Sequence, residues 1–502
     1  MADDVIGVAF PEVEGNRSST ATGQAVFAAA ARAVDPQVAD AIEREDDWYG
    51  SYVEHALALE QAQADDPQGA QSVPEAGLRS LYEQMEFVRD GETTPVPDAF
   101  ERAREAGFET IDVDGTRERD DEVRVPYRGR ILTGDDLRRQ LDEWTVRDMV
   151  EPSFAAAIGR TIDNPAWLDL SDRTMVVLGG AAEMGPLEWL ARWGATTVVV
   201  DLPEPDLWRR ILSTVREGAG RALIPAREPL PGEPADERIA EVAGADLITA
   251  LPEVAAWLDR LEGPLTVGNY VYAHGSINVE VSTAVDAIAD RLLARGDDRS
   301  VAVLATPTDV YTVPPDAVAA SQRRFRERTS ARRTIGRLSG QRLFAPNYPE
   351  NDGGRRPDQR RVVDCQISQQ GCNYSLAKRL HRWRARLARQ RGAVSSINVA
   401  PATNTKSVTD NRVLKACYSS AAAYDVEVFE PETSRALMAL LLVHDLREPS
   451  AAANPDTALE HPSDLLSEAA CHGGLWRIPF APRTVLPLAA IRGMAHPATW
   501  RG

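Results

Sequence analysis

Tyr374 and Lys378 are two residues whose types and spacing suit proton transfer. The sequence from 374 to 391 predicts an amphipathic helix, so the phenol and the ammonium share one face and can meet one ligand. A phenol has an ordinary pKa near ~10, and a neighbouring positive charge lowers that pKa. Only three of the 56 basic residues of the chain are lysine. A lysine at this spacing therefore favours a functional pair over a solvated helix face.

A glycine-rich turn is the second candidate site. The strand predicted over 173–180 runs into Gly179 and Gly180, and Gly185 precedes the next helix. Glycines permit close approach of the backbone to a pyrophosphate that faces a helix N-terminus. Asp201 ends the next predicted strand, 21 residues after Gly180, where a carboxylate can bind ribose hydroxyls. Because this acid repels a 2′-phosphate, the pattern favours NAD over NADP; the alternative is a tight turn without a ligand.

The elements around these residues alternate between strands and helices. Short apolar runs predict buried strands, and the stretches between them have helical periodicity. This alternation predicts an α/β fold with a doubly wound, Rossmann-like parallel sheet. The predicted strands cover 173–180, 195–201, 222–225, 265–272, 300–304, 361–367 and 393–400.

Changes in composition divide the chain into five predicted parts. The beginning is acidic and rich in alanine, and a later segment rich in arginine, proline and glycine interrupts the alternation. The parts are a helical N-terminal extension (1–120), the first part of the Rossmann-like domain (121–312), an arginine-rich insertion (313–361), the second part of that domain with the Tyr374 helix (362–445) and a loop-rich tail (446–502).

Three stretches resemble motifs of the short-chain dehydrogenase/reductase family, in a divergent form. The stretch 167–180 is similar to the opening strand of the family. Tyr374–Lys378 matches the Tyr-x-x-x-Lys motif, which is the specific part of the resemblance. Asn398–Pro401, with Thr403 and Thr405, resembles the strand and the Pro-Gly-x-x-x-Thr turn that follow.

The resemblance covers about half the chain, roughly residues 165–445, and implies an NAD(P)-dependent oxidoreductase. Such an enzyme transfers a hydride between nicotinamide and a carbonyl or alcohol group of a small-molecule substrate. The resemblance implies that Tyr374 moves the proton and that Lys378 holds the ribose and lowers the pKa of the phenol. The implied cofactor is NAD, and the implied cofactor-binding residues are Gly179, Gly180, Gly185, Asp201, Asn269 and Thr403.

Two positions depart from the family pattern. Glu183 replaces the middle glycine of Gly-x-x-x-Gly-x-Gly, and a carboxylate beside a pyrophosphate is electrostatically unfavourable. The catalytic serine of the family has no counterpart at its usual spacing. Ser368 lies only six residues before the tyrosine, whereas Thr306 and Thr308 follow an apolar strand. We predict Ser368 as the catalytic hydroxyl, with the two threonines as alternatives.

Basic residues concentrate in one segment of an acidic chain. The 502 residues carry a net charge of −20, whereas residues 321–392 carry 19 basic and five acidic residues, a net +14. This segment fits a surface that docks on the acidic N-terminal region or on a second subunit. It also fits a site for an anionic substrate beside Tyr374. Nucleic-acid binding is not expected, because the overall balance is acidic and no aromatic stacking pattern accompanies the arginines.

Composition and short-range patterns disfavour several other classes. Hydrophobic residues make up 43% of the chain, which is typical of a globular protein, and no apolar run is long enough to span a membrane. The N-terminus lacks a signal-peptide pattern, and the four cysteines lack metal-ligand spacing. We therefore expect a cytoplasmic protein without a metal site. The family resemblance implies a homo-oligomer.

Two alternative functions fit the same sequence. Glu183 and the displaced serine favour a Rossmann scaffold that binds a nucleotide or a partner without turnover. An S-adenosylmethionine-dependent transferase also uses a glycine turn and an acid at the end of the second strand. The transferase gives no role to Tyr374 and Lys378. The preference of the protein for a nicotinamide cofactor or for S-adenosylmethionine would separate the oxidoreductase from the transferase.

Overall fold

The computed structural model of the chain describes residues 5–104, 107–232, 234–296, 298–350 and 359–495. Parts of the predicted extension, insertion and tail, at 1–4, 105–106, 351–358 and 496–502, lie outside the described residues. The strands are β1 (Gly7–Ala9), β2 (Glu12–Val13), β3 (Asn16–Arg17), β4 (Glu86–Arg89), β5 (Glu92–Pro95), β6 (Glu109–Asp114), β7 (Val125–Tyr127), β8 (Arg130–Leu132), β9 (Thr174–Leu178), β10 (Thr196–Val200), β11 (Arg221–Ala226), β12 (Leu265–Asn269), β13 (Arg299–Ala305), β14 (Val310–Val313), β15 (Arg361–Asp364) and β16 (Val394–Val399).

The helices surround these strands along the whole chain. They are α1 (Ser19–Arg32), α2 (Pro36–Glu43), α3 (Trp48–Asp65), α4 (Pro67–Gln84), α5 (Gly134–Val146), α6 (Pro152–Asp163), α7 (Leu187–Arg192), α8 (Pro205–Arg216), α9 (Asp236–Val242), α10 (Leu251–Leu258), α11 (Ile277–Leu293), α12 (Pro315–Arg326), α13 (Ser330–Leu338), α14 (Cys372–Gln390), α15 (Lys406–Thr409), α16 (Arg412–Ser419), α17 (Pro431–Arg447), α18 (Asp464–Ser467) and α19 (Pro482–Ala495). Short 3₁₀ turns cover Val96–Arg102, Pro165–Leu168, Ser368–Gln370 and Ala421–Tyr424.

Seven strands form the central sheet, in the order β16-β13-β12-β9-β10-β11-β6. The strands from β16 to β11 run parallel, and β6 pairs antiparallel with β11 at one edge. Numbered along the chain, the parallel strands lie in the order 3-2-1-4-5-6. The predicted α/β class with a mostly parallel sheet is therefore confirmed, and the strand order is compatible with a Rossmann-like fold.

The central strand β9 explains why the sheet lies between two layers of helices. Its sequence Thr-Met-Val-Val-Leu is apolar at successive positions, as expected for a strand covered on both faces. Val176 and Leu178 belong to a core with the N-terminal helices, α11 and α14, whereas Met175 and Val177 belong to a core with α5, α6 and α17. Because successive side chains of a strand point to opposite faces of the sheet, β9 contributes to two separate cores.

Two segments differ from the sequence-based expectations. Residues 109–114, predicted to lie in a helical extension, form the edge strand β6 of the central sheet. The strand predicted over 361–367 is not part of that sheet, because Arg361–Asp364 pairs antiparallel with Val310–Val313 in a separate two-stranded sheet. Each of these two segments is placed by a partner strand that is distant in sequence.

The N-terminal helices pack against α14. Trp383 on α14 is buried, and its ring centroid lies 6.3 Å from that of Phe27 on α1. A Cβ atom added at Gly77 on α4 would lie 2.5 Å from the indole ring, so only glycine permits this approach. The extension is therefore part of the wall that holds α14 in place.

The buried arginines of α14 explain part of the basic segment. Arg382 lies 3.4 Å from Glu60 on α3. Arg386 donates to the Gln63 side chain at 2.7 Å and to the Ala70 carbonyl at 2.6 Å. These contacts agree with the docking interpretation, in which basic residues of segment 321–392 meet the N-terminal region.

Glu151, the residue before α6, is predicted to stabilise the fold at neutral pH and to lose this contribution in acid. The buried carboxylate accepts hydrogen bonds from His472 at 2.9 Å and from Arg477 at 2.8 and 2.5 Å. Burial opposes its ionisation, but Arg477 and His472 hold the pKa of Glu151 at about 2, below its usual range. The depressed pKa means that this stabilisation is complete above about pH 4.5 and is lost as the pH falls through about 2.

Replacing Glu151 by glutamine is therefore expected to lower the free energy of unfolding at pH 7 by about 3 kcal/mol. Urea denaturation at several pH values measures the difference between the two proteins. We expect this difference to shrink steadily below pH 4. A difference that stays constant down to pH 2 would contradict the assigned ion pair.

Candidate active site

The candidate residues gather at the carboxyl edge of the parallel sheet. The glycine turn follows β9, Asn269 ends β12, Thr306 follows β13, and Thr403 follows β16. The strand order reverses between β9 and β12. In open α/β sheets, ligands bind beyond the carboxyl ends of the strands at such a reversal.

A pocket of about 240 Å³, which includes space open to solvent, lies beside the end of β13. Its wall combines the segment after β13, the beginning of α14 and one residue from α3 of the N-terminal extension. The lining residues are Tyr52, Thr306, Thr308, Asp309, Gln366, Ile367, Gln370, Gly371, Tyr374, Ser375 and Lys378. The pocket therefore contains the predicted Tyr374 and Lys378 pair.

Tyr374 projects from the first turn of α14 toward the strand ends. Its ring packs edge-on against Tyr272, with the centroids 6.3 Å apart, and Thr306 lines the same pocket. Burial raises the pKa of Tyr374 above its ordinary value, and the Thr306 side chain opposes this shift only in part. The expected lowering by Lys378 is thus not found in the protein alone. The phenol is protonated at neutral pH and can act as a proton donor.

Lys378 lies one turn further along α14 and faces the same pocket. Its Nζ atom is 5.8 Å from the centroid of the Tyr374 ring. Within the described part of the chain, the ammonium makes no hydrogen bond and no ion pair. Burial lowers the pKa of Lys378 to about 8, although the negative charge of Asp309 opposes this shift.

Asp309 is a site residue that the sequence analysis missed. Its carboxylate accepts hydrogen bonds from Arg379 at 2.5 Å and from Arg382 at 2.9 Å. Burial opposes its ionisation, but the two arginines keep the pKa of Asp309 below its usual range. Asp309 therefore ties α14, which carries Tyr374, to the segment that follows β13. An acid just beyond the two threonines was the signal in the sequence.

Thr306, and not Ser368, is the hydroxyl beside Tyr374. Ser368 lies in an exposed 3₁₀ turn, where its carbonyl accepts a hydrogen bond from Tyr52, and it does not line the pocket. Thr306 is 2.9 Å from Thr308, which in turn donates to Gln370 at 2.9 Å. The segment with β14 and β15 separates Thr306 from Tyr374 in sequence, but the fold brings both residues to one pocket.

The glycine turn after β9 closes largely on itself. The N–H groups of Gly179 and Gly180 both donate to the Val200 carbonyl, at 2.9 and 3.3 Å, and Gly185 donates to Ala182 at 2.8 Å. Gly179 has φ +88°, and a Cβ atom on it would lie 3.0 Å from the backbone after β12. The close packing around this turn is therefore a sufficient reason for these glycines, whether or not a ligand binds there.

The carboxylates of Asp201 and Glu183 both accept hydrogen bonds from backbone N–H groups. Asp201 accepts from the N–H groups of Ala181 and Leu202, each at 2.8 Å, and burial raises its pKa. Glu183 accepts from the N–H of Lys406 at 2.8 Å. This bond connects the glycine turn to the segment after β16.

Asn269 and Thr403 take part in local turns. The Asn269 side chain accepts from the N–H of Val271 at 3.3 Å. The Thr403 hydroxyl donates to the Pro401 carbonyl at 2.9 Å and lies 2.7 Å from Ser434 on α17.

The chain matches no model of a known protein family and no curated protein sequence. Among the described residues, no helix has the length and apolar character needed to cross a lipid bilayer. The same residues contain no cluster of three or more side chains suited to hold a metal ion.

Proposed function

We propose that the chain is an oxidoreductase of the short-chain dehydrogenase type, which reduces a carbonyl group of a small polar molecule with NADH. The carrying observation is that Tyr374, Thr306 and Lys378 meet in one pocket at the carboxyl edge of the sheet. The fold then is a Rossmann-like doubly wound sheet with a helical N-terminal extension and an arginine-rich insertion. A homo-oligomer in the cytoplasm stays a prediction.

Each residue of the pocket has a distinct part in this reaction. The raised pKa of Tyr374 keeps a proton on the phenol, which it donates to the carbonyl oxygen. Thr306 orients that oxygen. Lys378 supplies positive charge beside the phenolate that remains. When bound, a nicotinamide supplies the hydride. The direction that suits these residues is reduction.

The bond between Glu183 and the Lys406 amide favours a second candidate, a scaffold without turnover. In that case the carboxylate takes the position of a phosphate and keeps the glycine turn closed.

The buried arginines of α14 are paired with protein groups, so an anionic substrate has Lys378 as its cation in the pocket.

Calorimetric titration with NADH, NADPH and S-adenosylmethionine tests the proposal. We expect NADH to bind the wild type, and Glu183→Gln to tighten its binding about tenfold, since a carboxylate beside the pyrophosphate costs about 1.4 kcal/mol. Asp201→Asn is expected to weaken binding.

The exposed Glu83 on α4 offers a matched control, because Glu83→Gln removes the same charge far from the glycine turn. No binding of NADH to either the wild type or Glu183→Gln would reject the oxidoreductase in favour of the scaffold. A preference for S-adenosylmethionine would instead indicate a transferase.

A further inference from the structure

Two polar groups face the pocket without a partner. Within the described part of the chain, the Lys378 ammonium makes no hydrogen bond or ion pair. The Ser375 hydroxyl is buried, and its residue is only 8% exposed, yet it also has no hydrogen-bond partner. Both residues line the same pocket as the Tyr374 phenol. An unpaired buried hydroxyl is costly, which indicates that a ligand satisfies the Ser375 side chain.

We propose that Lys378 forms an imine with small hydroxylated aldehydes and ketones that enter this pocket. The Nζ lone pair attacks the carbonyl carbon, while the carbonyl oxygen takes the phenol proton of Tyr374. The nitrogen returns one proton to the Tyr374 phenolate. The resulting carbinolamine then loses its hydroxyl group with the remaining nitrogen proton as water, and a carbon–nitrogen double bond remains. The reaction needs no nicotinamide and goes beyond the proposed hydride transfer.

Imine formation requires a neutral amine, and the surroundings of Lys378 provide one. Lowering its pKa from 10.5 to about 8 raises the neutral fraction at pH 7 roughly 300-fold. The negative charge of Asp309 favours the protonated amine, but this carboxylate already forms ion pairs with Arg379 and Arg382. The other titratable groups around the ammonium are phenols and an imidazole, from Tyr52, Tyr272, Tyr374 and His381.

The class of carbonyl compound follows from the groups that line the space in the pocket. Hydroxyl or amide groups of Tyr52, Thr308, Gln370 and Ser375 surround that space. These groups can hydrogen-bond substrate hydroxyls, so we expect a hydroxylated compound to be preferred over a purely apolar one.

Reductive trapping tests the proposal on the full chain. The protein is incubated with dihydroxyacetone and cyanoborohydride, which reduces an imine to a stable secondary amine, and labelled peptides are located by mass spectrometry. Lys406 and Lys415 are exposed and are the only other lysines, so they serve as controls within one molecule. We expect Lys378 to be labelled at least tenfold faster than either, with a pH midpoint near 8.

Further probes separate a bound imine from general amine reactivity. Acetone, which lacks hydroxyl groups, should label Lys378 more slowly than dihydroxyacetone. Ser375→Ala and Tyr374→Phe should each slow the labelling of Lys378 and leave the exposed lysines unchanged. Label at the exposed lysines alone, or at none of the three, overturns the proposal whether or not the protein binds NADH.

Discussion

Replacing Tyr374 by phenylalanine is expected to lower the rate of NADH-dependent carbonyl reduction about 10²- to 10⁴-fold, the range typical of a lost general acid. The phenol hydroxyl shares its pocket with Thr306 and keeps its proton at neutral pH because burial raises its pKa. Phenylalanine fills the same space but has no proton to give. The loss should fall on kcat, since the ring that packs against Tyr272 is retained.

The measurement is NADH consumption with a panel of small hydroxylated carbonyl compounds. Tyr272→Phe is the matched control, because Tyr272 is the neighbouring tyrosine but is 50% exposed and its hydroxyl contacts His274 instead. We expect this control to keep most of the activity. Equal activity in the wild type and in Tyr374→Phe would remove Tyr374 from the reaction.

The strands that position the site were predictable because their signal is local. The apolar runs Thr174–Leu178 and Thr196–Val200 are rich in valine and threonine, and both become buried parallel strands. The spacing of Tyr374 and Lys378 also needs only one helix to bring the two side chains together. Patterns of this kind are complete within a few residues, so distant parts of the chain do not alter them.

The hydroxyl beside Tyr374 was not predictable in the same way. Thr306 and Tyr374 are far apart in sequence, and two strands, β14 and β15, and two helices lie between them. Proximity in sequence favoured Ser368, but the fold turns that residue toward solvent. The edge strand β6 was not predicted for the same reason, since its place in the sheet depends on pairing with β11 and not on its own composition.

The state of the glycine turn lies between these cases. The sequence marked Glu183 as a departure from the family pattern, and its electrostatic effect on a phosphate follows from charge alone. Its partner, the backbone amide of Lys406, is set by how the segment after β16 folds back. Likewise, Asp201 ends its strand as predicted but is hydrogen-bonded to the turn.

The position of the pocket at Tyr374 depends on buried charge. Asp309, with 3% of its surface exposed, is the group that receives two arginines of α14, and it also acts on Lys378 through its charge. A paired buried ion adds little net stability compared with apolar residues, but removal of one partner is costly. The same carboxylate therefore links the stability of the helix to the ionisation of the amine.

Asp309→Asn is accordingly expected to lower the free energy of unfolding by about 3–5 kcal/mol, because it leaves Arg379 and Arg382 without their shared anion. Urea denaturation at pH 7 measures this loss. Glu75→Gln, which breaks the exposed pair with Arg79 at 3.4 Å, should cost at most about 0.5 kcal/mol. Where the variant stays folded, the pH midpoint of Lys378 labelling should also fall, since Asp309 raises the pKa of that amine. A loss no greater than that of the exposed pair would show that Asp309 does not hold α14.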